Sequence, residues 1–125
     1  FDKTSVAKEE SIKIIDDIIL DNNTGIADFD ICRVFINLLD NSINALKNYT
    51  GDDKLLYLSC KQDNDHIFIK CENKFSETIR KPEKKPELHG YGMKIVKDIT
   101  EKYNGELITQ IQDTTFSTLA ILKTE

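Results

Sequence analysis

Two asparagines spaced four residues apart are the first side chains in this sequence that could do chemistry. Asn37 and Asn41 lie in a stretch of helical hydrophobic periodicity, so both carboxamides project from one face of the predicted helix, and Asn44 and Asn48 continue the stripe. Asparagine is a weak helix former because its amide competes for backbone groups. An amide oxygen can ligate Mg²⁺ without repelling phosphate. Solvated surface amides are the alternative interpretation.

A pair of glycines opens a second predicted helix about fifty residues later. Gly90 and Gly92 stand in the segment His89-Gly90-Tyr91-Gly92-Met93-Lys94. Without Cβ atoms the backbone can approach a phosphate closely, and a helix N-terminus supplies free N–H groups. No GK[ST] follows, and the third glycine of a dinucleotide fingerprint is missing, so neither of those phosphate loops is present. Together with the asparagine stripe, the glycines predict a site for ATP and its Mg²⁺.

Composition indicates one globular domain over residues 1–125. The chain is 39% hydrophobic and 31% charged, and a chain of this length buries about two-thirds of its unfolded surface.

Net charge is −5 and no basic block occurs, so no nucleic-acid partner is expected. No apolar run approaches the roughly 20 residues that span a bilayer, so no membrane contact by this domain is expected. The start, Phe1-Asp2-Lys3, looks like a cut inside a longer chain.

The asparagine-bearing helix is predicted to begin after Asp28, as N-cap, and to run to about Asn48. Its apolar face comprises Phe35, Leu38, Leu39, Ile43 and Leu46, with Cys32 one turn earlier. The three cysteines, Cys32, Cys60 and Cys71, form no CxxC pair. They are therefore expected to be packed thiols on apolar faces in a reducing compartment.

The remaining pattern alternates hairpins with a helix. Residues 55–61 and 66–72 predict a hairpin, residues 90–103 a helix stopped by Asn104-Gly105, and residues 106–111 and 115–123 a closing hairpin. Residues 5–20 could be helix or strand, and the role of the N-terminal segment 1–25 stays open. Residues 74–89, which hold both prolines, predict a mobile lid. The expected fold is a two-layer α/β sandwich with a mixed, mostly antiparallel sheet covered by helices on one face.

These motifs resemble a known superfamily. The stretch Asn37–Ala45 is similar to the N box of the GHKL (Bergerat-fold) ATPases. The segment 89–96, with 101–107 after it, resembles the second glycine box and following helix of sensor histidine kinases, in the form typical of quorum-sensing peptide-receptor kinases. The resemblance covers residue 28 to the C-terminus and implies a Bergerat ATP-binding domain.

The resemblance implies a role for each matched residue. Asn41 matches the asparagine that binds Mg²⁺, and Asn37 matches a position beside the phosphates that is often a glutamate base in members that hydrolyse ATP with water. An amide cannot accept a proton at neutral pH, which favours phosphoryl transfer over hydrolysis. Asn37 and Asn41 are thus the predicted catalytic residues. Further predicted nucleotide contacts are Asn44, His89, Gly90, Tyr91, Gly92, Met93, Lys94 and Thr114.

The usual first glycine box is absent, which is the main departure from the superfamily pattern. Cys71-Glu72-Asn73-Lys74-Phe75 stands in its place. Asn73 aligns with the aspartate that accepts a hydrogen bond from the adenine amino group, and its carbonyl can accept the same bond.

The implied function is that of the ATP-binding catalytic domain of a bacterial two-component sensor histidine kinase. It would deliver the γ-phosphoryl group to a histidine on an upstream dimerisation region of a homodimeric parent, which in turn serves a response regulator. His66 and His89 do not resemble the acceptor. The domain is expected to be cytoplasmic, in a membrane-anchored parent. The alternatives are an anti-sigma-factor-type serine kinase and a degenerate, non-catalytic Bergerat-fold interaction module.

Overall fold

In a computed structural model, which describes residues 12–20, 24–63, 65–75 and 90–124, two helices pack on a five-stranded sheet. The elements in chain order are β1 (Lys13–Ile18), α1 (Asp28–Lys47), β2 (Leu55–Asp63), β3 (His66–Lys74), α2 (Gly90–Lys102), β4 (Glu106–Gln112) and β5 (Thr115–Lys123). The strand order is β1-β2-β3-β5-β4, with β1 parallel to β2 and every other described pair antiparallel. The predicted mixed, mostly antiparallel α/β sandwich is confirmed.

The segment that could have been helix or strand contributes a strand. Residues 13–18 lie parallel to β2, with Ile14 opposite Leu56. Parallel neighbours need a crossover connection, and α1 lies in the chain between these two strands. The exposed fraction of the β1 side chains is high from Asp16 to Ile18, which is why hydrophobic periodicity alone did not identify it.

The central hairpin buries the face that its alternation predicts. Its six inward side chains are at most 5% exposed: Leu56, Leu58, Cys60, Ile67, Ile69 and Cys71. Both strands run two residues further than predicted, so Asn73 lies within β3. Burial raises the pKa of the Cys60 thiol to about 11 and that of Cys71 to about 12, so both stay protonated at neutral pH, as packed thiols do.

Two predictions about α1 are wrong. Cys32 is exposed, because the buried stripe at this end of the helix is centred on Ile31 and Val34, and one residue turns an α-helix by about 100°. The N-cap is Ala27, without a side-chain hydrogen bond, and Asp28 is the first helical residue. The Asp28 charge therefore acts on the helix dipole rather than capping a free amide.

A buried carboxylate joins the start of α1 to the end of α2. Asp30 is 4% exposed, and its Oδ2 accepts hydrogen bonds from Lys102 Nζ at 2.8 Å and from the Tyr103 hydroxyl at 2.5 Å. Arg33 lies 3.9 Å from the other carboxylate oxygen. The hydrogen bond from Lys102, followed by that from Tyr103, lowers the pKa of Asp30 below its ordinary value.

The predicted stop of α2 at Asn104-Gly105 is confirmed. Asn104 takes the left-handed conformation, with φ of 55°, and the Gly105 N–H donates to the Thr100 carbonyl at 2.7 Å. This is a Schellman cap with asparagine in the left-handed position. Gly105 has another role, because a Cβ there would lie 1.7 Å from the backbone oxygen of Ile121. Glycine at this position allows the backbone just before β4 to lie against the backbone of β5.

Within the described residues, neither helix is long and apolar enough to cross a membrane. Both helices instead pack on the sheet, α1 mainly on β3 and α2 on β4 and β5, and they also pack on each other. Residues 76–89, most of the predicted lid, lie outside the described residues.

The Asp30 cluster predicts how stability depends on pH. Because the folded-state pKa of Asp30 is lowered, its stabilising contribution is complete above the ordinary aspartate pKa and is lost as pH falls below about 4 toward the folded value. Asp30→Asn should lower the free energy of unfolding at pH 7 by about 1–2 kcal/mol, since Lys102 is largely exposed and screened. It should also flatten the acid limb of the stability profile.

Asp28→Asn is the matched control, because it removes the same charge from the same helical turn at an exposed position. Urea unfolding of the wild type and the two variants at pH 7 and at about pH 2.5, below the ordinary aspartate pKa, makes the comparison. Equal midpoints for both variants would contradict a stabilising role for the buried cluster.

Candidate nucleotide-binding site

The asparagine stripe of α1 lies directly against the glycine-opened start of α2. A Cβ built on Gly92 would stand 2.9 Å from Asn37 Oδ1 and 3.6 Å from Asn37 Cγ. Real Cβ atoms essentially never approach an oxygen that closely, so the contact requires glycine at this position. The two stretches that sequence reasoning combined into one site, fifty residues apart in the chain, are neighbours in the fold.

The Asn37 amide is held in one orientation by its own helix. Its Nδ2 donates to the Arg33 carbonyl, one turn earlier, at 2.7 Å. The donor end of the amide is therefore satisfied, and Oδ1 lies beside the first turn of α2. Backbone N–H groups in a first helical turn lack intrahelical partners and carry partial positive charge. The arrangement places an uncharged oxygen next to a helix N-terminus that favours anions.

The four asparagines of the stripe separate into two pairs. Asn37 and Asn41 are half-buried, whereas Asn44 and Asn48 are exposed. Asn48 is the C-cap of α1, and its Nδ2 donates to the Asn44 carbonyl at 3.3 Å. Asn41 follows Asn37 by one turn and therefore lies on the same face of α1. Asn44, a predicted nucleotide contact, lies further along that face and in solvent.

Asn73 presents a buried acceptor that lacks a donor. The residue is 2% exposed, and its Nδ2 donates to the Lys74 carbonyl at 2.9 Å. Its Oδ1 is buried and receives no hydrogen bond from any group in the described part of the chain. Buried polar groups are nearly always paired, because an unmet acceptor costs about 1–3 kcal/mol. A ligand that brings an N–H group to this oxygen would remove that cost.

Two further polar side chains on the buried face were missed by the sequence analysis. The Ser42 hydroxyl lies 3.1 Å from Cys71 Sγ, and Thr118, 2% exposed, pairs across the sheet with Cys71. Both had a signal in the sequence. Ser42 interrupts the apolar face of α1, and Thr118 is the one polar residue among the inward positions 116, 118, 120 and 122 of β5. Both are neighbours of Cys71, and Asn73 lies two residues after Cys71 on the same face of β3.

The remaining predicted contacts differ in position. The Met93 side chain is 1% exposed and belongs to the core, so only its backbone could meet a phosphate. Lys94 is exposed and pairs with Asp98 at 3.7 Å. Gly90 and Tyr91 are the first two residues of α2. Thr114 is exposed in the β4–β5 turn, and its carbonyl accepts from the Phe75 N–H at 2.9 Å. His89 lies outside the described residues.

Sequence comparison identifies one family model. The model described as GHKL domain (HATPase_c_5) matches residues 26–122, which includes α1, the central hairpin, α2 and nearly all of the closing hairpin. A search among curated proteins returned no significant match.

The fold is similar to solved catalytic domains of histidine kinases. The catalytic domain of histidine kinase ThkA superposes with a TM-score of 0.73 at 15% identity, covering 97% of this chain and 85% of that one. The histidine kinase AdeS of Acinetobacter baumannii gives 0.69 at 15% identity, covering 98% of this chain and 59% of its own. A blue-light-activated histidine kinase of Erythrobacter litoralis gives 0.66 at 13% identity, with 98% and 57% covered. At identities of 13–15%, the similarity to these structures shows a common fold.

The close contact between Gly92 and Asn37 predicts that a single methyl group added at position 92 weakens nucleotide binding. Gly92→Ala should leave the fold intact, because the atom that its Cβ meets is the end of a side chain. It should displace the Asn37 amide and weaken the binding of Mg-ATP about tenfold or more, as loss of one well-placed polar contact does. Calorimetric titration with a non-hydrolysable ATP analogue measures the change.

A double-mutant cycle with Asn37→Ala supplies the control. If the added methyl group acts by displacing the Asn37 amide, Gly92→Ala should lose little binding free energy in a protein that already carries Asn37→Ala. Fully additive losses in binding free energy would contradict that route.

Proposed function

Because the chain belongs to the GHKL domain family, we propose that it is the ATP-binding catalytic domain of a bacterial two-component sensor histidine kinase. The domain binds Mg-ATP and supplies the γ-phosphoryl group to a histidine on an upstream dimerisation region of a homodimeric parent. The observation that carries the proposal is the contact of Asn37 Oδ1 with Gly92, which unites the amide face and the glycine-opened helix in one site.

The triphosphate lies, in this proposal, where α1 faces the first turn of α2. Free backbone N–H groups of that turn donate to phosphate oxygens, and Gly92 allows the close approach. Asn41 would supply a neutral oxygen ligand to Mg²⁺, and the bound ion would neutralise part of the phosphate charge. The half-buried position of Asn41, one turn from Asn37, supports this assignment.

Asn37 favours transfer of the phosphoryl group to another side chain over hydrolysis. Its Nδ2 is bonded to the Arg33 carbonyl, and its Oδ1 cannot take a proton from water at neutral pH. An amide so placed could offer its oxygen to Mg²⁺ or to a water bound by that ion, but it could not generate a hydroxide nucleophile. Catalysis then depends on positioning and charge neutralisation, as is usual for phosphoryl transfer.

The adenine end of the nucleotide meets β3. Asn73 Oδ1, which no group in the described part of the chain pairs, can accept a hydrogen bond from the adenine amino group.

The acceptor histidine lies outside this domain. His66 is bonded to Asp65 at 2.9 Å at the turn of the central hairpin, which fits a structural role. The proposed partners are the dimerisation region of the parent and a response regulator. The parent is a membrane-anchored receptor of the quorum-sensing peptide type, with this domain in the cytoplasm.

Removal of the proposed metal ligand tests the site. Asn41→Ala should abolish measurable binding of Mg-ATP while leaving the unfolding midpoint nearly unchanged, because the residue is only half-buried. Asn48→Ala is the matched control, since it removes an amide from the exposed end of the same stripe. Calorimetry with Mg²⁺ and a non-hydrolysable analogue provides the measurement. An Asn41→Ala titration that matches the wild type would exclude this residue as the metal ligand.

The chemistry of the phosphorylated product tests the reaction. In the full-length parent supplied with γ-labelled ATP, the label should be labile in acid and stable in alkali, as a phosphohistidine is. Asn37→Ala should reduce the labelling rate about tenfold or more, because the site loses the oxygen that would hold Mg²⁺ or its bound water beside the phosphates. Label that survives acid and is lost in alkali would indicate the serine kinase instead. Binding without any labelling would indicate a non-catalytic module.

A further inference from the structure

We propose that the edge of β1 that faces away from β2 pairs with the same edge of a second copy of this chain, so that two sheets join antiparallel into one continuous sheet. Among the described strands, β1 pairs only with β2 and lies at the end of the sheet. Such an edge presents a row of backbone N–H and C=O groups that another strand can bond. The inference concerns an interaction surface and requires no nucleotide.

The backbone groups that face this edge belong to alternate residues of β1. The Lys13 N–H donates to the Lys54 carbonyl at 2.9 Å. At the other end of the strand, the Ile19 N–H donates to the Cys60 carbonyl at 2.8 Å. Odd-numbered residues thus bond to β2, and the even-numbered residues from 14 to 18 direct their N–H and C=O groups to the outer edge.

Two-fold symmetry and the strand pleat restrict the register in which two β1 strands can pair. A two-fold axis perpendicular to the sheet keeps every side chain on its own face, so directly opposed residues must lie on the same face. Because the faces alternate along a strand, an odd-numbered residue must be opposed by an odd-numbered residue. The allowed registers therefore differ by steps of two residues.

Charge favours one of these registers. When Ile15 is opposed by its own copy, Lys13 is opposed by Asp17 of the second copy, and the symmetry repeats that pair. A shift by two residues in one direction places the two Asp16 carboxylates opposite each other, and a shift in the other direction removes both Lys–Asp pairs. Directly opposed charges stabilise a strand pair when they are unlike and destabilise it when they are alike.

The side chains that this register needs are available. Lys13 and Asp17 are exposed, and neither forms an ion pair with a described residue. Tyr57 lies next to Ile15 in the parallel ladder, on the same face of the sheet, and is 48% exposed. Pairing would bring the Ile15 and Tyr57 side chains of both copies into one apolar row, which would remove part of their surface from water.

The strand at the other end of the sheet, β4, lacks this complementarity. Its only charged residue is Glu106, so no register of β4 against its own copy pairs unlike charges. Charged side chains on an edge strand commonly prevent pairing with other chains. On β1 they oppose the register centred on Asp16 and favour the register centred on Ile15.

An interface of one short strand buries little surface, so we expect a weak, concentration-dependent dimer of the isolated domain. One consequence rests on the proposed function. In a homodimeric parent, two tethered domains would meet at an effective concentration on the order of 1 mM, at which weak pairing is populated.

Analytical ultracentrifugation of the chain without nucleotide, from micromolar to millimolar concentration, tests the inference. The wild type should show a reversible equilibrium between monomer and dimer. Lys13→Asp should weaken dimerisation about tenfold or more, because both symmetric pairs become like-charge pairs. Adding Asp17→Lys to that variant should restore the wild-type dissociation constant within about threefold, because the charges are then exchanged. Lys123→Asp is the matched control, since it makes the same charge change at an exposed position of β5, and it should change the constant less than threefold.

Amide hydrogen exchange identifies the strand that pairs. As the protein concentration rises, the N–H groups of Ile14 and Asp16 should exchange more slowly, because the second copy bonds them. The Lys13 N–H, which already donates to Lys54, should exchange at an unchanged rate.

Three results would overturn the inference. They are a wild type that stays monomeric at millimolar concentration, a dimer that is insensitive to Lys13→Asp, and slower exchange along β4 with none along β1. Because none of these measurements involves nucleotide, they leave the proposed function untouched.

Discussion

The close contact between α1 and α2 at Gly92 is the constraint on which the site depends. Asn37 can lie against the first turn of α2 only because position 92 lacks a Cβ. The other end of the helix pair is held by Asp30, which accepts from Lys102 and Tyr103. Fixed at both ends, α2 presents its N-terminus to the amide face of α1, and the free N–H groups there become usable by an anion. Substitution at Gly92 would displace the Asn37 amide, and substitution at Asp30 would remove the hydrogen bonds at the other end of the helix pair.

Asn37 and Asn73 are oriented in the same way. Asn37 donates to the Arg33 carbonyl and Asn73 to the Lys74 carbonyl, so in each the donor end is bonded to local backbone. The remaining oxygen is an uncharged acceptor of fixed direction. A carboxylate would offer the same acceptor with a negative charge, which opposes a triphosphate. Local backbone contacts therefore fix the direction of an amide oxygen that could otherwise exchange places with the amide nitrogen.

Much of the fold was predictable, because it follows from periodicity. The central hairpin and its six inward residues, the closing hairpin and the stop of α2 at Asn104-Gly105 all agree with the sequence. The wrong predictions concern features that depend on how the helix packs on the sheet. Cys32 falls outside the buried stripe, which is centred on Ile31 and Val34, and Ala27 rather than Asp28 is the N-cap. The β1 segment stayed ambiguous because a short apolar run, mostly exposed in the fold, fits helix and strand equally well.

The sequence by itself determined the family, the fold class and the residue types of the site, because hydrophobic period, glycine spacing and amide spacing are local properties of the chain. Only the tertiary structure decided that Gly92 meets Asn37, that Asn73 is buried with an oxygen paired by no described residue, and that Ser42 and Thr118 are neighbours of Cys71. Those contacts join residues 29 to 55 positions apart in the chain, and they depend on how α1 packs on the sheet and against α2. The direction of an amide likewise depends on its hydrogen-bond partner, which no residue type specifies.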